Sequence, residues 1–217
     1  LTSYRPDFIL HTHLPRAIRK DLYTPTDHDI KKLLAAIKDT RMEIPVLLAA
    51  TGSLRRSEIC ALDAADVGDG FVRVNKALVW SPSKEWVLKT TKTEAGTRVT
   101  YIPKEITDRI HQLVPEGRVV QMNPSTITPA FAKTLERAGL PHFRFHALRS
   151  YYASILHALG VPDKYIMQWG GWHDEHTLQT HYQKALPDKV PDMAKIGIDH
   201  FQELLSCSSF YCSLFAH

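Results

Sequence analysis

A stretch rich in β-forming residues interrupts a sequence that otherwise has the periodicity of helices. Before this stretch, apolar residues recur at i, i+3, i+4 and i+7 from Ile30 to Ile37, which is the spacing of one helix face. Thr24, followed by proline, predicts the start of that helix, because a hydroxyl can cap the first turn and proline fits its first position. The almost wholly apolar segment from Ile44 to Ala50 predicts a second, buried helix.

The interrupting stretch contains three short segments rich in β-branched and aromatic residues. They are Phe71–Val74, Trp86–Leu88 and Thr97–Ile102, and Glu94–Gly96 supplies a turn before the third. We therefore predict a small antiparallel sheet of three strands.

Helical periodicity returns after this sheet. One helix places Ile106, Ile110 and Leu113 on a single face. Two more are predicted, from Thr128-Pro129 to about Gly139 and from His146 to Leu159. The whole pattern predicts an α+β fold that is mainly helical, with a small antiparallel three-stranded sheet.

Composition and charge limit the function classes only loosely. A chain of 217 residues with 44% hydrophobic residues can bury a sizeable core. Its formal net charge of +4 is compatible with a polyanionic partner but does not establish one. It contains no apolar run of membrane-spanning length and no signal peptide, so we expect no membrane partner. The odd set of Cys60, Cys207 and Cys212 favours a reducing cytoplasm.

The ends of the chain differ from its middle. Residues 1–23 are basic and irregular, and the first residue is not Met, so we expect an arm or linker from a missing or truncated N-terminal domain. Residues 24–205 are expected to form one catalytic domain. They end in an amphipathic helix over 191–205, and residues 206–217 are interpreted as a C-terminal tail.

The first chemically informative segment is a glycine turn followed by Arg55 at the start of a helix. A guanidinium beside free backbone N–H groups suits a phosphate, because its fork matches two phosphate oxygens. The alternative is that Arg55 and Arg56 pair with Glu58 and Asp63 on a solvated helix.

Two further segments carry groups that can act on a phosphate. Lys92 lies at a predicted hairpin tip, where a lysine can protonate a leaving oxygen, although most such lysines are only solvated. His146 and Arg149 are spaced i, i+3 at a helix start, so both can reach one phosphoryl group. The alternative for this pair is a capping histidine and a surface arginine.

The last segment runs from a Gly-Gly-Trp sequence to Tyr182. A tyrosine hydroxyl needs nearby positive charge to become a nucleophile, and most tyrosines are instead half-buried aromatics. His173, His176 and His181 also invite a zinc site. We disfavour it because no fourth ligand has regular spacing.

Taken in order, these segments resemble the catalytic domain of the tyrosine recombinases, the phage and transposon integrase family, over about residues 24–200. The resemblance rests on four motifs: Leu-Arg-x-Ser-Glu at 54–58, Lys-Thr at 92–93, His-x-x-Arg at 146–149, and the Gly-Gly-Trp segment that leads to Tyr182.

The resemblance implies a site-specific DNA recombinase that uses no cofactor and no metal. Tyr182 would attack the scissile phosphate, form a 3′-phosphotyrosyl bond and release a 5′-hydroxyl. Arg55 and Arg149 would clamp the non-bridging oxygens and stabilise the charge of the transition state.

Three further roles follow from the same resemblance. Lys92 would protonate the departing 5′ oxygen, His146 would accept the proton of the tyrosine, and His173 would bind a phosphate oxygen. The sequence leaves a rival for three of the six positions: Arg56 for Arg55, Lys89 for Lys92, and Trp172 for His173.

The implied partner is double-stranded DNA. A homo-oligomer, expected to be a tetramer, would assemble on this DNA. The expected location is the bacterial cytoplasm, at the nucleoid. The 191–205 helix would dock on a neighbouring protomer, or alternatively pack on its own core. Other functions that the sequence allows are a type IB topoisomerase, an inactive DNA-binding module and, with less support, a histidine phosphatase. The favoured prediction is the integrase of a mobile element.

Overall fold

The computed structural model of the protein describes residues 23–90, 97–181, 186 and 189–207. The described residues form nine α-helices: α1 Asp27–Ile37, α2 Glu43–Gly52, α3 Arg56–Ile59, α4 Lys104–Leu113, α5 Pro124–Arg137, α6 Ala147–Ala158, α7 Asp163–Gly170, α8 Glu175–His181 and α9 Val190–Cys207. They also form five strands: β1 Val67–Gly68, β2 Phe71–Val74, β3 Lys76–Trp80, β4 Trp86–Thr90 and β5 Arg98–Tyr101.

The strands form a three-stranded antiparallel sheet, in the order β1-β2-β5, and a separate β3–β4 hairpin. In the sheet Val72 pairs with Thr100, and in the hairpin Leu78 pairs with Leu88. The predicted α+β fold with a small antiparallel three-stranded sheet is confirmed. The predicted set of strands in this sheet is wrong, because Trp86–Leu88 belongs to the hairpin and β1 takes its place in the sheet. The predicted turn at Glu94–Gly96 lies outside the described residues.

The start of α1 differs from the prediction by two residues. Its N-cap is Thr26, not Thr24, because Asp29 completes a capping box with Thr26. The Asp29 amide donates to the Thr26 hydroxyl at 3.2 Å, and the Thr26 amide donates to the Asp29 carboxylate at 2.9 Å. This reciprocal pair satisfies backbone donors that the helix leaves open at its first turn.

Helix α5 also starts earlier than predicted. The Asn123 side chain accepts a hydrogen bond from the Thr126 amide at 3.2 Å, and Pro124 occupies the first turn. Pro129, predicted to open the helix, therefore lies inside it. The Asn-Pro pair that caps the helix precedes the Thr-Pro pair by five residues.

The core lies around α2, which contacts α1, α3 and α6. Val46, Leu48 and Ala49 of this helix are fully buried, which confirms the predicted buried helix. A second cluster of buried residues joins α6, α7 and α8: Tyr152, Ala153, Ile166, Trp172 and Leu178. This second cluster places the beginning of α6 next to the end of α7.

Some apolar residues of the helices remain on the surface. Leu113, predicted to share a face of α4 with Ile106 and Ile110, is 46% exposed because the helix ends there, whereas those two are buried. In α9, Val190, Ile196 and Ile198 are each more than half exposed, so these three side chains do not pack on the described core. None of the helices in the described ranges is both long enough and apolar enough to cross a bilayer.

Replacing Thr26 by Ala should lower the free energy of unfolding by about 1 kcal/mol, since the helix loses its cap. Urea unfolding followed by circular dichroism measures the change. Thr24→Ala is the matched control and should have a smaller effect; a larger loss in Thr24→Ala would place the cap at the earlier threonine.

Candidate active site

The end of α2 reverses the chain and presents Arg55. Ser53 adopts a left-handed conformation with φ of 56°, and its amide donates to the Leu48 carbonyl group. The Thr100 hydroxyl donates to the carbonyl oxygen of Gly52 at 3.0 Å, which ties this turn to β5. Helix α3 then begins with Arg55 at its N-cap, so the predicted placement of this arginine at a helix start is confirmed.

Glu58 is the acidic centre of this corner and is 7% exposed. Arg55 donates to it twice, from its amide to Oε2 at 2.7 Å and from Nη1 to Oε1 at 2.8 Å. Arg98 donates from Nη1 and Nη2 to the same two oxygens at 2.9 and 2.7 Å. Burial alone would raise the pKa of Glu58, but hydrogen bonds and positive charge from Arg98, and then Arg55, lower it to about 2.

Three arginines converge on the C-terminal end of α7. Arg98, Arg149 and Arg55 donate to the carbonyl oxygens of residues 169, 170 and 171, at 3.0, 3.1 and 2.8 Å respectively. Carbonyl groups at the end of a helix lack partners within the helix and form the negative end of its dipole. The end of α7 therefore holds guanidinium groups without using a carboxylate for each.

Two glycines make this convergence possible. Gly171 has φ of +70°, and a Cβ there would lie 3.0 Å from Nη1 of Arg98. A Cβ at Gly170 would lie 1.8 Å from the Trp172 ring. Any larger residue would therefore displace the groups that surround this turn.

Arg149 is among the most deeply buried side chains, with 1% of its surface exposed. It lies in the first turn of α6, three residues after His146, which is the N-cap. Its guanidinium carbon is 4.7 Å from the centroid of the Trp172 ring, a cation–π contact. The alternative of a surface arginine is wrong for Arg149, because its side chain is buried against the Trp172 ring.

A pocket of about 250 Å³ opens where α3, α5 and α6 meet. It is lined by Leu54, Arg55, Arg56, Ser57, Pro124, Phe145, His146 and Arg149. The side chain of Arg55 is 43% exposed, so its guanidinium remains accessible to a ligand while it is held by Glu58. The predicted residues Arg55, His146 and Arg149 are thus brought together around one cavity.

His146 is held in its neutral form. Desolvation of its ring and, next, the positive charges of Arg149, Arg55 and Arg56 lower the pKa of His146 to about 4. The residue is nevertheless exposed to solvent at the pocket. A neutral imidazole has one unprotonated ring nitrogen, so His146 can accept a hydrogen bond at physiological pH.

The pocket lining does not include the remaining predicted site residues that the structure describes. Lys92 and Tyr182 fall outside the described residues. His173 is exposed beyond the end of α7, whereas its rival Trp172 is 7% exposed beneath Arg149. Lys89 lies on β4 and is exposed.

The structure separates Arg56, the rival of Arg55, from the end of α7, and it also bears on the suggested metal site. Arg56 donates to the hydroxyl of Thr128 and to the carbonyl oxygen of Pro124, so it is tied to α5 and not to α7. Within the described ranges, no group of three or more His, Cys, Asp or Glu side chains could hold a metal ion.

Sequence reasoning missed Arg98. A lone arginine at the start of a strand is usually solvated, and nothing in its local pattern indicates that it reaches Glu58, 40 residues away in the chain. The only available signal was its place in the sequence shortly after Lys92.

The sequence of residues 25–188 matches the model of the phage integrase family. The chain belongs to the phage integrase family. The resemblance to tyrosine recombinases that the four motifs indicated is therefore confirmed.

A relative of this chain is consistent with this family membership. A XerC-like tyrosine recombinase from Caldanaerobacter subterraneus subsp. tengcongensis is 24% identical over an alignment of 218 positions, gaps included, that covers 85% of this chain and 56% of that protein. The chain thus spans little more than half the length of that relative.

Solved structures share the fold. The Tn1549 transposon integrase in complex with circular intermediate DNA has a TM-score of 0.67 at 14% identity, covering 82% of this chain and 68% of that one. A lambda integrase dimer bound to a COC′ core site has a TM-score of 0.56 at 17% identity, covering 78% and 51%.

The lowered pKa of His146 makes a direct prediction. The folded state disfavours its protonated form, so the associated stability is present above pH 6.5 and is lost as pH falls through about 4. In an NMR titration, the ring signal of His146, assigned with His146→Gln, should not shift between pH 8 and pH 5.5. A midpoint near 6.5 would show that the arginine charges do not act on this ring.

Proposed function

We propose that this chain is the catalytic part of a site-specific DNA recombinase, an integrase that cuts and rejoins DNA strands through a 3′-phosphotyrosine intermediate. The observation that carries the proposal is the pocket in which Arg55, Arg149 and His146 meet, backed by the end of α7. Membership of the phage integrase family supports the same reaction class.

The charge of the site suits a phosphodiester. Arg55, Arg98 and Arg149 contribute three positive charges and Glu58 one negative charge, so this group of four has an excess of two. The transition state of phosphoryl transfer gains negative charge on its non-bridging oxygens. Guanidinium groups that are already fixed stabilise this charge without reorganising.

The phosphate clamp is assigned to Arg55 and Arg149, not to Arg56. Both proposed clamp residues donate to neighbouring carbonyl groups at the end of α7, so their relative position is set by one short piece of backbone. Arg56 also lines the pocket but is anchored on α5, so it would contact an adjacent part of the DNA backbone.

The remaining steps involve three other groups. The phenol oxygen of Tyr182 would form a bond to phosphorus while the bond from phosphorus to the 5′ oxygen breaks. The phenol proton would pass to His146, and Lys92 would protonate the 5′ oxygen. His173 would donate to a phosphate oxygen. Trp172 would hold the guanidinium of Arg149 in place through the cation–π contact.

We also propose the wider arrangement. Double-stranded DNA is the partner, since the Tn1549 integrase, which shares this fold, was solved in complex with DNA. Phosphate contacts would make DNA binding sensitive to salt. A homo-oligomer would assemble on DNA, with the exposed Ile196 and Ile198 of α9 contacting a neighbouring protomer. Residues 24–205 would be the catalytic domain, 1–23 an arm and 206–217 a tail, in an integrase of a bacterial mobile element.

Tyr182→Phe should abolish covalent attachment to DNA and leave DNA affinity within about threefold, because only the nucleophilic oxygen is lost. The assay is trapping on a nicked suicide duplex that carries the element's end sequence, resolved on a denaturing gel. Tyr101→Phe, which alters a 59% exposed tyrosine, is the matched control and should still form the adduct.

Other outcomes of the trapping assay would redirect the proposal. An adduct that persists in Tyr182→Phe would assign the nucleophile to another residue. DNA binding without any adduct would indicate an inactive DNA-binding module. Relaxation of supercoiled DNA by the chain without synapsis of two duplexes would indicate a topoisomerase.

Arg149→Lys should reduce the rate of cleavage by about 100-fold or more, since a compact ammonium cannot reproduce the fork of the guanidinium. Single-turnover cleavage of the same duplex measures the rate. Arg137→Lys, which changes an exposed arginine at the end of α5, should cleave normally. Normal cleavage by Arg149→Lys would exclude Arg149 from the clamp.

A further inference from the structure

Arg98 joins three parts of the fold that meet behind the pocket. It begins β5, its Nη atoms donate to Glu58 on α3, and its Nε donates to the carbonyl oxygen of Trp169 at the end of α7. All three of its guanidinium nitrogens thus donate to protein acceptors, and Arg98 does not line the pocket, whereas Arg55 and Arg149 do.

The carboxylate of Glu58 transmits the position of Arg98 to Arg55. Oε1 accepts from Nη1 of both arginines, and Oε2 accepts from Nη2 of Arg98 and from the amide of Arg55. Two parallel bonds from a planar guanidinium fix the rotation of a carboxylate, whereas a single contact leaves it free to turn. The guanidinium of Arg55 is therefore oriented by a carboxylate that Arg98 holds in place.

A second connection runs through the backbone of α7. The side chain of Arg98 lies against Gly171, where an added Cβ would come within 3.1 Å of its Cδ and Cζ. The next carbonyl groups of the same turn accept from Arg149 and Arg55. Arg98 thus supports both the carboxylate and the backbone that hold the two proposed clamp residues.

We propose that Arg98 is a positioning residue that aligns Arg55 and Arg149 for the phosphate through Glu58 and the end of α7. This inference rests on the proposed recombinase function.

The chain contains a matched structural ion pair outside the site. Arg109 on α4 donates to Glu43 on α2 through Nε at 2.9 Å and Nη2 at 3.2 Å. Glu43 is 7% exposed, as Glu58 is. A variant at Arg109 therefore reports what the loss of a similar ion pair does to stability alone.

The experiment compares Arg98→Gln with Arg109→Gln, using single-turnover cleavage of the nicked duplex at saturating protein and a separate measurement of DNA affinity. We expect Arg98→Gln to cleave about 100-fold more slowly, with DNA affinity changed by less than about threefold, because a misplaced clamp lowers the rate rather than the binding. Arg109→Gln should lower the melting temperature and leave the cleavage rate of the folded protein unchanged.

Two more variants separate positioning from burial of a lone charge. The double variant Glu58→Gln with Arg98→Gln removes both charges, and it should recover stability relative to Arg98→Gln without recovering the cleavage rate. Arg98→Lys restores the charge but not the two parallel bonds, and should also recover more stability than rate.

The inference is overturned if Arg98→Gln cleaves at the wild-type rate, or if its cleavage returns with stability in the double variant. A readout without chemistry keeps it testable if the wild-type chain forms no adduct, which would count against the proposed function instead. In NMR spectra of nitrogen-15 arginine side chains, the guanidinium signals of Arg55 should shift in Arg98→Gln and not in Arg109→Gln. Unchanged Arg55 signals would also overturn it.

Discussion

One carboxylate, that of Glu58, determines how the candidate site is assembled. Its two oxygens accept from both Arg55 and Arg98, so it joins α3 to β5. Removing a carboxylate from water is costly, and the cost is offset here because four hydrogen bonds satisfy it. The buried arrangement would lose this compensation if either arginine were missing, and the start of α3 would no longer be held against the sheet.

The end of α7 stabilises buried arginine side chains without neutralising their positive charge. If each guanidinium were paired with its own carboxylate, the site would have no net attraction for a phosphate. Backbone carbonyl groups and the face of Trp172 stabilise a guanidinium while leaving its full charge in place. Since Gly170 and Gly171 let the side chains approach the backbone closely, the Gly-Gly-Trp sequence is a structural requirement of this arrangement.

Sequence patterns predicted the local features of this protein better than its long-range contacts. Arg55 at a helix start and the pairing of His146 with Arg149 follow from turn and helix geometry over a few residues, and both were predicted. The partner of the β4 segment and the role of Arg98 depend on which surfaces are buried together, and this is decided by packing between distant parts of the chain. The helix cap is predicted at Thr24 but observed at Thr26. Both residues carry a hydroxyl, and only Asp29, three residues after Thr26, distinguishes them.

The excess positive charge around the pocket has a consequence for the protein without DNA. Like charges held close together repel, so the free fold stores an unfavourable energy that a bound phosphate relieves. Folding and ligand binding are then thermodynamically linked: part of the attraction for the phosphate is used to relax the protein, and the occupied state is the more stable one. The α6–α7 junction, where Arg149 is buried, is the place at which this coupling would be concentrated.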